Sequence, residues 1–292
     1  MEWSDRMNAA ISYIEDNLAG EVDFSEAAEK ACCSLFHFQR MFFAIIGVTP
    51  AEYTRRRRLT LAARELTTNG DKVIDVAMKY GYDSPDAFAR AFRNVHGINP
   101  LAARASGAKL TAFPRISFNL KVNGGIDLDY RIIEKPAFKV AGRIREFTTA
   151  NKQNLVEIPK WWEAFSASPE WQQIADVAEK KPGKITGGQI LGICFDAGQK
   201  EVFSYAIAVE LPKGKSPKSF ETLDIPAATW AIFDTTIDDI QQCWKQIYEE
   251  WFPSTGYEHS GAPEFEVYLP GDFSDLAMPC QIWVPVVKKK KK

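Results

Sequence analysis

The chemistry with the strongest signal in this 292-residue chain is cationic. From Arg40 to Arg104, eleven Lys/Arg stand against six Asp/Glu, and four of the arginines run together from Arg55 to Arg58. The whole chain has a formal charge of −2, because acidic residues among the first thirty-nine hide that excess. A cationic stripe on an otherwise neutral chain is an electrostatic footprint for nucleic acid, although a lone arginine run is more often a solvated helix face. Other reactive residue types are thin. His37, His96 and His259 are scattered and offer no metal-ligand spacing, so no metal site is expected. No Ser-His-Asp or Cys-His constellation can be assembled from them. Five cysteines, odd in number and without a CxxC, argue for a reducing cytoplasm rather than a disulfide framework. Cys32 and Cys33 read as small core or turn residues. No cofactor is implied.

The arginines must be positioned by helices, and the sequence builds the same helical device twice. CSLFHFQRMF (33–42) and DSPDAFARAF (83–92) align at an offset of fifty, as do GVTP (47–50) and GINP (97–100). In the first copy Phe24, Ala27, Ala28 and Ala31 mark one helical face, and Ser34 can cap a second helix whose buried face is Phe38, Met41, Phe42 and Ile45. In the second copy Val73, Val76, Ala77 and Tyr80 line a helix broken by Gly81. Ser84 then caps the next helix, with Pro85 at its first position and Phe88, Phe92 and Val95 inward. The reading is two helix-turn-helix units in tandem. Between them, Ala51 to Thr68 is a strong helix former, a rod of ~27 Å. Adjacent major-groove faces on one side of B-DNA recur about every 34 Å, so such a rod suits two readers in neighbouring grooves. An earlier helix carries Met7, Ala10, Ile11, Ile14 and Leu18 on one face.

Residues 7 to 104 resemble the DNA-binding domain of AraC-type transcription regulators, a bacterial type. The resemblance is carried by IEDNL, HFQRMF, YTRRRRL, VAMKYGYDS and FARAFRNVHGINP in that order. It implies that the helix beginning at Ser34 reads bases with Phe36, Gln39 and Arg40, through a thymine methyl, adenine, and guanine or phosphate respectively. In the second reader Asp86 and Arg90 take the base-facing positions. Asp86 repels phosphate, so this reader is expected to position more than it specifies, with Arg90 and Arg93 on the backbone. The implied phosphate contacts are Ser34, Arg55, Arg57, Ser84 and Arg93. The expected domain spans residues 1–107.

After ARASGAK the composition turns to alternating β-branched and aromatic residues, and ISFNLKVNGG reads as a lead-in strand or linker within 108–125. YRIIEKPAFKVAG (130–142) and FETLDIPAATWAI (220–232) align at an offset of ninety. Each is followed by a helical segment and two strands. The expected fold class is therefore two domains, an all-α tandem helix-turn-helix domain and an α+β domain of two pseudo-symmetric βαββ units at 126–287. Lys288 to Lys292 read as a tail. No run of eighteen apolar residues is present, so no membrane span is expected, and MEWSDRM lacks the apolar core of a secretion signal.

The second half resembles the GyrI-like effector-binding domains, on DLDYRIIEKPAFKVAG, WFPSTGYEHSGAPEFEVYLPGD and QIWVPV. The resemblance implies a strand carboxylate projecting into an aromatic cleft to meet a small molecule, here Glu266 of Glu266-Val267-Tyr268. Strand alternation puts Glu264 on the same face. Trp161, Trp162, Trp171, Tyr205, Trp230, Trp244, Trp251 and Trp283 are candidate walls. Carboxylates among rings suit hydrophobic cations, each cation–π contact contributing ~0.5–2 kcal/mol. Three readings stay open. The first is a regulator, an activator by the family's habit, with double-stranded DNA, a small-molecule effector and RNA polymerase as partners. The second is a GyrI-like hydrolase with Glu266 as general base helped by Tyr268. The third is a second half that binds protein through an exposed aromatic patch.

Overall fold

The computed structural model describes residues 3–68, 71–105, 108–118, 128–149, 153–180, 182–196, 202–212, 219–273 and 275–289. Residues 119–125 of the expected linker and 290–292 of the lysine tail lie outside the described residues.

Six helices come first: α1 (Trp3–Asp16), α2 (Phe24–Lys30), α3 (Leu35–Ile46), α4 (Pro50–Thr68), α5 (Val73–Lys79) and α6 (Pro85–His96). Their ends follow local chemistry. The Asp23 carboxylate accepts from the Ser25 amide ahead of α2, and the Ser84 hydroxyl accepts from the Ala87 amide ahead of α6, with Pro85 in the first turn. Gly81 (φ 77°) follows α5 and Gly97 (φ 76°) ends α6, left-handed positions that glycine occupies without a Cβ penalty.

The chain divides into two compact units. The first comprises Met1–Leu35 and Thr49–Leu120. In it Leu59, Ala62, Ala63 and Leu66 of α4 pack with Val76, Ala77 and Tyr80 around α5 and with Phe88 and Phe92 of α6. Three α4 residues also tie the unit together. Arg57 pairs with Glu15 through two contacts of 2.8 Å and donates to the Phe113 carbonyl at 2.7 Å. Tyr53 donates to the same Glu15 carboxylate, and Arg58 donates to the Leu18 carbonyl at 2.9 Å.

The second unit comprises Lys121–Lys292 together with Phe36–Val48, which is most of α3. Its strands are β1 (Tyr130–Lys135), β2 (Phe138–Thr148), β3 (Ile190–Asp196), β4 (Val202–Glu210), β5 (Glu221–Ile225), β6 (Ala228–Thr236), β7 (Tyr257–His259), β8 (Glu264–Tyr268) and β9 (Pro279–Lys288). They form one antiparallel sheet in the order β1-β6-β9-β8-β3-β4-β2-β5, with β7 also on β9. Helices α7 (Asn154–Ser166) and α8 (Pro169–Lys180) follow β2, and α9 (Ile240–Gln246) follows β6 and runs through a π turn at Ile247–Trp251.

The two halves repeat, with one refinement on the βαββ pattern. Each first strand is divided at its proline, Pro136 or Pro226, which has no N–H for a ladder. The piece before the proline crosses over: β1 pairs with β6 and β5 pairs with β2. Each half therefore lends a strand to the other. β8 and β3 meet where the halves join, with Glu266 opposite Gly192 and Glu264 opposite Cys194.

Strand alternation then sorts two cores. Phe265 and Val267 of β8 join Leu191, Ile193, Trp230 and Trp283 on one face. The other face carries Cys194, Tyr205 and Ile207, covered by Trp161, Phe165 and Ile174 from α7 and α8, and Phe36 from α3 belongs to this cluster.

Candidate functional site

Glu264 and Glu266, neighbours on one face of β8, are buried carboxylates of the second unit, 1% and 8% exposed. An isolated buried carboxylate is costly, so the partners define the site. Glu266 accepts from the Tyr205 hydroxyl at 2.8 Å, the Tyr268 hydroxyl at 3.1 Å and the Trp244 indole at 3.1 Å. The Trp162 indole donates to the Tyr205 hydroxyl at 3.0 Å, extending the network to α7. Gly192 makes this closeness possible, because a Cβ there would overlap the Tyr205 hydroxyl and sit 3.0 Å from Glu266 Oε2.

Glu264 has a different shell. The Tyr248 hydroxyl donates to it, His259 Nε2 lies 3.3 Å from Oε1, and Arg40 Nε lies 2.5 Å from Oε2. Burial pushes its pKa up, but Arg40 and the two histidines outweigh burial and bring it down to about 2. The Arg40 guanidinium also sits over the Trp244 ring at 4.9 Å and the Phe36 ring at 5.9 Å. His37 stacks on His259 at 4.1 Å, and burial holds the His37 pKa well below its ordinary value.

His37, His259 and Glu264 bring one ligand atom each to within 4.8 Å of one another, a juxtaposition that their spacing in the chain does not reveal. The Arg40 charge on Glu264 already neutralises that carboxylate and would repel a metal ion, so the cluster is read as an ion-pair and ring-stacking site.

The expected effector residues separate by sheet face. Glu264, Glu266, Tyr268, Tyr205 and Trp162 come together. Trp161 is one layer away, against Phe147, Phe165 and Tyr205. Trp230 and Trp283 are on the opposite face with Phe265, stacked at 4.9 Å in the case of Trp230. The alternation that points Glu266 to one side points Phe265 to the other, so these two tryptophans share no wall with the carboxylates. Tyr248, His259, His37 and Arg40 are additions. Tyr248 follows Trp244 by four residues, a spacing that puts both on one face of a helix, and the rings stack at 6.0 Å.

The expected DNA-facing residues also fall into groups. Arg90 and Arg93 on α6 are exposed, as are Asp86 and Ser34. Ser84 is half-buried and its hydroxyl caps α6. Arg55 is exposed and pairs with Glu52, whereas Arg57 is committed to Glu15 and Phe113. Phe36 and Gln39 are buried, at 4% and 9% exposure, and Arg40 is engaged by Glu264. Phe38, Phe42, Phe88 and Phe92 are fully buried.

Residues 128–287 match the family model of the GyrI-like small molecule binding domain, more than half of the chain. The chain belongs to the GyrI-like family. Residues 27–106 match a helix-turn-helix domain model. The HTH-type transcriptional activator AarP of Providencia stuartii is 40% identical over 94 residues, covering 32% of this chain and 70% of AarP. The transposon Tn10 TetD protein of Escherichia coli is 35% identical over 106 residues, 34% of this chain and 77% of TetD. Among solved structures, a putative bacterial transcription regulation protein from Staphylococcus aureus MU50 is 20% identical, covers 55% of this chain and 99% of its own, and has a TM-score of 0.44. This GyrI-like protein is an AraC-type DNA-binding transcription regulator with a small-molecule binding domain. Among its described residues, no helix is long and apolar enough to cross a membrane.

Proposed function

We propose that the small molecule sensed by this regulator is a hydrophobic cation bound at Glu266 and Glu264. The observation that carries this reading is a positive charge already seated there: the Arg40 guanidinium lies on Glu264 and over the Trp244 face. A carboxylate pair, with a ring face beside it and Tyr205, Tyr248 and Tyr268 hydroxyls fixing it, supplies both attractions such a cation needs. Sensing is favoured over hydrolysis because three donors converge on Glu266, which crowds the water a general base would have to activate.

On the DNA side, residues 1–107 are assigned to duplex reading, 126–287 to sensing and 108–125 to the linker. Gln39 and Arg40 would read base edges, and Arg55, Arg90 and Arg93 would hold phosphates. Arg57 is assigned to holding Glu15 and Phe113. Activation through contact with RNA polymerase, in a bacterial cytoplasm, completes the reading.

The test is calorimetric titration of the full chain with tetraphenylphosphonium and with its neutral isostere tetraphenylmethane. Saturable binding of the cation, at least tenfold tighter than any binding of the neutral compound, supports the reading. Equal binding of both, or of neither, overturns it.

A further inference from the structure

Helix α3 has two demands on it. By family resemblance it carries the base-reading residues Phe36, Gln39 and Arg40. In the structure the same residues are inside the second unit: Phe36 in the core cluster with Trp161 and Tyr205, Gln39 buried, and Arg40 on Glu264. His37 from the same helix stacks on His259 at 4.1 Å and tilts against Tyr248 at 5.5 Å. His37 and Arg40, one turn of the helix, thus reach one carboxylate site while Phe36 and Gln39 are buried beside them, and a helix held this way cannot lay Gln39 against a base edge.

The occupant chemistry is also specific. Arginine is the one side chain that combines a permanent charge with a flat face for ring contact, which are the two properties read into the effector. Arg40 is the permanently charged partner of Glu264 among the contacts described, with Nε 2.5 Å from Oε2.

We propose that Arg40 is an internal ligand of the carboxylate site, so that docked α3 and an external hydrophobic cation exclude one another and cation binding frees the base-reading helix. This rests on the cation reading of the same site. The energetics require only that the cation bind the undocked state better than the docked one, which exclusion guarantees. The apparent dissociation constant is then the intrinsic one divided by the undocked fraction, so a helix docked nine times in ten weakens binding about tenfold.

Removing the internal ligand should therefore tighten the external one. The experiment uses the full chain and tetraphenylphosphonium, with wild type, Arg40→Met and Arg40→Ala compared by calorimetry; methionine keeps an apolar stem in place if alanine fails to fold. The expected result is a dissociation constant lowered on the order of tenfold in either folded variant. In parallel, Glu264→Gln should raise the affinity of the cation-free protein for duplex several-fold, because it loosens α3 without touching a base-reading residue. Cation binding that is unchanged by Arg40 substitution overturns the exclusion while leaving the cation reading intact. Absence of cation binding in wild type and variants alike overturns the cation reading itself, and the exclusion falls with it. Duplex affinity unmoved by Glu264→Gln also overturns the proposal.

Discussion

Arg40 Nε lies 2.5 Å from Glu264 Oε2, inside a shell that leaves Glu264 1% exposed. Two residues along the same strand, Glu266 accepts only neutral donors. Adjacent carboxylates on one strand face are therefore differently bound, one ion-paired and one solvated by hydroxyls and an indole. Their consequences differ accordingly.

Glu264 should show itself in acid. Its folded pKa, about 2, is below its ordinary value of 4.5, so the charged form is bound more strongly in the folded protein. A depressed carboxylate contributes stability that is complete above its unfolded pKa and lost as pH falls through its folded pKa. Urea midpoints of the wild type should thus decline between about pH 4.5 and pH 2 through this group. In Glu264→Gln that part of the decline should vanish, leaving a shallower profile over the same window. Parallel profiles would place the acid sensitivity elsewhere.

Glu266→Gln keeps the size of the side chain and removes its charge. Loss of a charge-assisted partner weakens binding by about 1.5–3 kcal/mol, or roughly 10- to 150-fold. The expected outcome is that much weaker tetraphenylphosphonium binding by calorimetry, with duplex affinity measured without cation staying within about twofold. Among the contacts described, Glu266 makes no hydrogen bond or ion pair to α3, whereas Glu264 pairs with Arg40, which is what separates this variant from Glu264→Gln.

What the sequence makes legible follows local rules. The helix-turn-helix repeats, with Ser84, Pro85 and Gly97 around α6, could be read because caps and breakers act within one or two turns. Glu264 and Glu266 could be placed on one face because strand alternation is a two-residue rule. The sorting of Trp230 and Trp283 away from them was not legible. It depends on which strands neighbour β8, and those neighbours, β3 from the first half and β9 from the second, are joined by long-range pairing. Arg40 was legible as a chemical type but not as a partner, since no local rule joins residue 40 to residue 264. His37 and His259 met for the same nonlocal reason.

Gly192 is a second point where the site limits the sequence. An added Cβ would overlap the Tyr205 hydroxyl and lie 2.9 Å from Tyr205 Cζ, in the middle of a paired strand. The ring cannot retreat freely because it is fully buried and packs against Phe147 and Trp161. Overpacking of this kind costs about 1–3 kcal/mol. Gly192→Ala should lower the unfolding free energy by that amount and, by displacing Tyr205 from Glu266, weaken cation binding. Unchanged stability would show that the strand can shift enough to absorb a methyl group.

Arg55 and Arg57 are two residues apart on α4, and their substitutions should divide stability from DNA binding. Arg57 is nearly buried, pairs with Glu15 through both ends of its guanidinium and donates to Phe113. Alanine there strands the Glu15 carboxylate, whose pKa the Arg57 pair helps to hold low against the opposing effect of burial. The loss should be about 2–4 kcal/mol of stability in the first unit, read by chemical denaturation. Arg55 is exposed and pairs only with Glu52 three residues before it among the contacts described. Its removal should alter stability by no more than about 0.5 kcal/mol. If Arg55 holds a phosphate, Arg55→Ala should weaken all duplexes alike and reduce the log–log salt slope by about one. A salt slope that falls for Arg57→Lys, in a protein that remains folded, but not for Arg55→Ala would reverse the two roles.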